Sequence, residues 1–193
     1  MEKFRSFTAM FRKNAIPMTG RVLLLLILAG TWHCKDRHPQ ARTGQLIYAN
    51  ETQQAKTVTL PDNSKVLLQP RTTLEISKSF NVTDRDVKLD GEAVFTVGSG
   101  GDHSLIVHTR NLHILVLEGR FHVDAFASNA GEEVDLLSGK LRVTKSYHST
   151  TDNGEEVLVG GDMVMINRDI DLMEKEKLNP TELEALEKKF PTR

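Results

Sequence analysis

The run Leu89-Asp90-Gly91-Glu92-Ala93-Val94-Phe95-Thr96-Val97 decides the fold class of this 193-residue chain. Ala93, Phe95 and Val97 alternate with Glu92, Val94 and Thr96, the period of two that marks a half-buried β-strand. Phe95 and Val97 are expected inside. Gly91 is expected at a tight turn, because glycine takes backbone angles that a β-branched residue resists. Glu92 either satisfies backbone donors in that turn or faces water. The run carries no catalytic group, so its message is architectural.

Working outward, short apolar runs of the same kind fill residues 45–166. Leu46 and Tyr48 alternate, as do Val58 and Leu60, and Pro61-Asp62-Asn63-Ser64 has the composition of a turn. Val66-Leu67-Leu68 and Leu74-Glu75-Ile76 follow, separated by Pro70, which cannot donate within a central ladder. Gly98-Ser99-Gly100-Gly101 reads as a flexible loop and not a phosphate cradle, since no Lys-Ser/Thr and no helical pattern follow it. Leu105-Ile106-Val107, then 112–117, then Phe121, Val123 and Ala125 continue the series. Val134-Asp135-Leu136-Leu137, Ser138-Gly139 and Leu141-Arg142-Val143 read as a hairpin, and Met163-Val164-Met165-Ile166 closes the region. No helical apolar period interrupts it. The expected fold is all-β, with short antiparallel strands in a solenoid-like or twisted sandwich arrangement. Leu89-Asp90-Gly91, Leu117-Glu118-Gly119, Leu137-Ser138-Gly139 and Val159-Gly160-Gly161 form a weak repeat, each joining a strand to another apolar run; their spacing drifts too much for a strict solenoid.

The ends differ from this body. Residues 1–34 combine Lys3, Arg5, Arg12, Lys13 and Arg21 with the apolar block Val22-Leu23-Leu24-Leu25-Leu26-Ile27-Leu28-Ala29. A helix over 22–32 reaches only about 16 Å, against a hydrocarbon core of about 30 Å, so a signal segment is favoured over a stable span. Cys34 follows as a lipid-anchor candidate, although His33 is larger than the residue lipoprotein processing normally takes; an ordinary cysteine near a cleavage site is the other reading. Met18 is an alternative start. Residues 35–44 read as a tether. Residues 167–193 form a charged tail with a helix at about 180–190: Asn179 is the N-cap, Pro180 the first helical residue, Glu182 the capping-box partner. Leu183, Leu186 and Phe190 lie on one face, which is expected to dock because so short a helix is marginal alone; its own β region is the favoured surface, and a partner site is the other reading.

Composition excludes several classes. A formal net charge of −1 gives no electrostatic footprint for nucleic acid. The single cysteine excludes an intramolecular disulfide and a four-cysteine zinc site. No nucleophile–base pair has a recognisable setting, so no enzyme, cofactor or small-molecule substrate is expected. Glu132-Glu133 and Glu155-Glu156 read as solvated turn residues. His108, His113 and His122 fall on one strand face by alternation, with Asp124 nearby; three imidazoles can hold zinc, and the competing reading is solvent-facing histidines.

The residues resemble the FecR family of periplasmic regulators of cell-surface signalling. Its Leu-Pro-Asp-Gly-Ser motif is similar to Leu60-Pro61-Asp62-Asn63-Ser64. Its Arg-x-Val-x-Leu-x-Gly-Glu-Ala-x-Phe-x-Val motif is similar to Arg85, Val87, Leu89, Gly91, Glu92, Ala93, Phe95 and Val97. Val116-Leu117-Glu118-Gly119-Arg120-Phe121-His122-Val123, Gly139 with Leu141 and Val143, and Gly161 extend the likeness over roughly 50–166. The resemblance implies a structural role for these motif residues and a β domain in the periplasm of a Gram-negative bacterium. It also implies contact with an outer-membrane TonB-dependent transducer and attachment to the membrane through the N-terminal segment or a lipidated Cys34. The usual member has a cytoplasmic helical segment that holds a sigma factor, for which residues 1–21 are too short. A protein-binding signalling module is thus the expected function, with an envelope-anchored structural lipoprotein as the alternative and a histidine metal-binding protein as a remote one.

Overall fold

The computed structural model describes residues 45–98 and 103–191, so the signal, tether and Cys34 readings lie outside the described residues. Three long strands organise the rest: β5 (Asp86–Val97), β7 (Leu112–Ala125) and β8 (Gly131–Lys145). Each is bent, and its two halves pair with different neighbours. The first half of β5 pairs with β4 (Thr72–Ser77) and, in parallel, with β6 (Leu105–His108). The second half pairs with β3 (Lys65–Leu68) and with the second half of β7. The first half of β7 lies between β6 and the end of β8; the second half lies between β5 and the start of β8. β1 (Gln45–Asn50), β2 (Lys56–Thr59), β9 (Glu155–Val159), β10 (Asp162–Asn167) and β11 (Leu172–Lys177) complete an eleven-stranded sheet among the described residues. One layer runs β1-β4-β5-β6-β7-β8-β9. The other runs β2-β3-β5-β7-β8-β10-β11. The described residues are all-β apart from one helix, α1 (Pro180–Lys189).

The bends correct the reading of the glycines. Gly91 sits inside β5, opposite Ala125, with φ 125°, and is not a turn. A Cβ there would lie 2.6 Å from the Thr72 hydroxyl, which donates to the Glu92 carbonyl at 2.9 Å, so only glycine fits. The expected hairpin at 134–143 is one continuous strand. Gly119 and Gly139 face each other across β7 and β8, and each opposes the other strand too closely for a Cβ. The register slips at Leu117 and again between Arg120 and Phe121, where Leu137 is the extra residue. A bulge followed by a glycine lets each strand leave one layer and enter the other. The repeated Leu-x-Gly units at 89–91, 117–119 and 137–139 are therefore corners within strands. Gly161 does stand in a turn, donating to the Leu136 carbonyl at 2.7 Å. Two further expectations are corrected: β5 and β6 run parallel, and the sheet continues past residue 166 through β11.

A single interior cluster fills the space between the layers. Phe95 and Phe121 stack at its centre with ring centroids 5.0 Å apart, among Leu68, Leu74, Leu89, Ala93, Val97, Ile114, Leu136 and Leu158. Leu60 is buried at its rim. The turn after it places Asn63 at φ 66°, a left-handed position that asparagine tolerates better than most residues. Asp62 accepts from Ser64 N–H at 2.9 Å and from Arg85 Nε at 3.0 Å, and Arg85 Nη1 reaches the His103 carbonyl at 2.7 Å. Both charged side chains are almost fully enclosed. The ion pair thus ties the Leu-Pro-Asp turn to the start of β5.

Candidate functional site

The outward face of the second layer holds a cluster of charge around the second half of β7. Val94 lies opposite His122, and His122 lies opposite Asp135, so these side chains share the face. His122 Nδ1 lies 2.9 Å from Asp135 Oδ2, and Nε2 lies 3.1 Å from Glu92 Oε1. The same Glu92 oxygen accepts from Lys189 Nζ at 2.8 Å. Phe190 stacks on the His122 ring at 5.0 Å, and its carbonyl accepts from the Arg120 guanidinium. This is how α1 is fastened. Asn179 caps its start, with reciprocal bonds of 2.9 Å to and from Glu182. Leu183 and Leu186 are only half-buried; Phe190, just past the helix end, is 1% exposed. Val94 points away from the interior cluster yet is itself buried, so this stretch of β5 is enclosed on both faces.

The electrostatics follow from burial and partners. Burial alone would push the His122 imidazole down, but the hydrogen bonds to Asp135 and Glu92, with their charges, carry it up to about 9. The bond from His122, working against burial and reinforced by Lys189, brings Glu92 down to about 2. Burial raises Glu133 to about 7, and the neighbouring Asp135 charge adds to the effect. Asp135 Oδ1 is enclosed and has no hydrogen-bond partner, with Glu133 beside it in β8.

Ligand atoms of His122, Glu133 and Asp135 come within 4.8 Å of one another. A metal there would have to displace an imidazolium already held at both nitrogens, so the arrangement serves as an ionic clamp. The expected three-histidine grouping is corrected. His108 and His113 pair with each other across β6 and β7, on the other layer. His122 is nine residues further along β7, roughly 30 Å of strand path. Asp124 lies opposite Glu92 and Glu133 and accepts from Asn129 Nδ2 at 3.3 Å. The solvated-turn reading of Glu132-Glu133 is also corrected, since both lie in β8. Glu132 is 4% exposed and accepts from Thr109 Oγ1 at 2.5 Å and Asn111 N–H at 3.1 Å, fixing the β6–β7 turn. Glu155 and Glu156 lie in β9, ion-paired with Arg142 and Lys175.

Sequence reasoning identified Glu92 without a role and His122 without its partners. Alternation does place Glu92 and His122 on outward faces. What it lacks is the register that joins residues 92, 122, 135 and 189.

The molecule is thus a β domain made of bent strands, held by internal ion pairs and carrying a clamped helix. Residues 47–142 match the FecR protein family, and the chain carries a FecR-family domain. That family is regulatory rather than catalytic. Two crystal structures of a candidate anti-sigma factor from Parabacteroides distasonis are similar to it. One, at 2.50 Å resolution, shows 25% identity and a TM-score of 0.64 over 73% of this chain and 63% of that one. The other, at 1.65 Å, shows 24% identity and a TM-score of 0.64 over 73% and 64%. The chain thus spans less than two-thirds of those relatives. The search of curated proteins gives no match. Among the described residues, no helix is long and apolar enough to cross a membrane.

Proposed function

We propose that this protein is the periplasmic protein-binding module of a cell-surface signalling system. In this reading it modulates a signal passed from an outer-membrane TonB-dependent transducer. The FecR-family match over 47–142 carries the reading, and the likeness to a candidate anti-sigma factor agrees with it. The ion pairs agree with it too: Asp62–Arg85 and Glu92–His122–Asp135 hold the surface of the β domain in shape. Attachment would come through the N-terminal segment or a lipidated Cys34, with the β domain in the periplasm.

The test is titration of the purified chain with the periplasmic domain of a TonB-dependent transducer encoded beside it. Saturable one-to-one binding is expected. No interaction, together with unchanged transducer-dependent transcription on deletion, sinks the signalling reading and leaves a structural envelope role.

A further inference from the structure

We propose that His108 and His113 form a two-imidazole site for a borderline divalent metal ion, Zn²⁺, Ni²⁺ or Cu²⁺, on the outward face of the first layer. The two residues are direct cross-strand partners in β6 and β7, and their Nδ1 atoms lie 2.8 Å apart. Two imidazole nitrogens on one ion at about 2.0–2.1 Å from it are separated by about 2.9–3.4 Å, from square to tetrahedral angles. The nitrogens already stand near a chelating separation; binding an ion turns both rings toward it and releases the proton that His113 Nδ1 donates to His108. In most proteins two imidazoles so close would be expected to share one proton. Here the orientation of one ring is fixed from behind.

His108 Nε2 lies 3.1 Å from Asp86 Oδ2, on the neighbouring strand β5. A carboxylate accepts only, so Nε2 carries the hydrogen, and in neutral His108 the lone pair is left on Nδ1, aimed at His113. Carboxylate, imidazole and open lone pair in line is the arrangement that metal-ligating histidines use to fix tautomer and raise basicity. His108 is one-third exposed, so water can complete the coordination. Lys88 is the register neighbour of His108 on β5, with Glu75 opposite it on β4. Imidazole ligands select Zn²⁺, Ni²⁺ and Cu²⁺ over the oxygen-seeking Mg²⁺ and Ca²⁺.

The ligand set differs from the three-histidine grouping read from sequence. It loses His122, and Asp86, 22 residues before His108, enters as the carboxylate that orients one ligand. An ion here would staple β6 to β7.

The experiment is calorimetric titration of the full chain with Zn²⁺ and Ni²⁺, and electron paramagnetic resonance with Cu²⁺. One equivalent with two-nitrogen hyperfine structure is expected, with a matching rise in thermal midpoint. The double variant His108→Ala/His113→Ala should lose that equivalent. Asp86→Asn should weaken it by about 10–100-fold while leaving the metal-free thermal midpoint close to that of the parent. Absence of binding by the parent chain overturns the proposal. So does binding undiminished in the double variant, which would place the ion on other donors, such as His122, Glu133 and Asp135 or His33, Cys34 and His38. If the double variant misfolds, Asp86→Asn and His113→Gln decide alone: undiminished affinity in both overturns the site.

Discussion

Strand β7 carries His113 near one end and His122 near the other, and the two have opposite electrostatic fates. His113 faces outward on the first layer beside a second imidazole, partly open to water, and is held toward its neutral form. His122 is buried between Asp135 and Glu92 beneath Phe190, and is held as a cation. The side chain and the strand are the same. The difference is made by what the register places alongside: a histidine in one case, two carboxylates in the other. Burial disfavours charge at both sites, and only counter-charges at hydrogen-bond distance overcome it.

The strongest way to break this contrast is to remove the buried cation. His122→Ala leaves Glu92 and Asp135 without their central partner, and should cost about 3–5 kcal/mol in urea unfolding. A loss below about 1 kcal/mol would mean that water already serves the carboxylates.

Titration sharpens the contrast next. The folded pKa of His122 is raised to about 9 from 6.5, so its stabilisation is complete below pH 6.5 and lost as pH rises through 9. The raised Glu133, at about 7 against 4.5, acts in the same direction, its contribution fading from pH 4.5 through 7. His113 has the opposite sign, its lowered value favouring the fold above pH 6.5 and opposing it as pH falls through the folded value. Because the His122 shift is the largest of these, unfolding free energy should fall by roughly 3 kcal/mol between pH 6 and pH 10, the worth of a shift of about 2.5 units. Imidazole resonances followed by NMR should show His122 titrating last and His113 early. A shared midpoint would erase the distinction.

Smaller effects mark the edges of the two sites. Lys189→Ala removes an ion pair whose lysine is more than half exposed, and should cost up to about 1 kcal/mol while quickening amide exchange in α1. Protected helix amides in that variant would show that Phe190 alone holds the helix. His113→Ala should change stability by no more than about 0.5 kcal/mol, as expected of a partly exposed position away from any buried network.

Much of the architecture could be read from alternation, because a residue with one face on the core has a period of two whatever its neighbours. Phe95, Phe121, Val123 and Val143 show it plainly. The corners were misread for a definite reason. A glycine at positive φ gives the same local signal in a turn and in a bent strand, and only the partner strand, Thr72 for Gly91 or Gly139 for Gly119, separates the two. β11 escaped notice because, in Leu-Met-Glu-Lys-Glu-Lys, Met173 alone packs against the interior and the run lacks alternation. The helix could be read from Asn179, Pro180 and Glu182, since a cap is a local bond. The clamp could not. Its members span residues 92 to 189 and meet only after the bulge at Leu137 has set which residues of β8 lie opposite the second half of β7.

The two ends of the described sheet are unlike as surfaces. Among the described residues β11 pairs only with β10, and it carries Glu174, Lys175, Glu176 and Lys177, all exposed. At the far end of the other layer β1 pairs, among the described residues, with β4 and exposes Leu46 and Ile47, at 44% and 59%. A strand laid along β11 would have to strip water from four charged side chains, a cost that the side chains of Leu46 and Ile47 do not impose along β1.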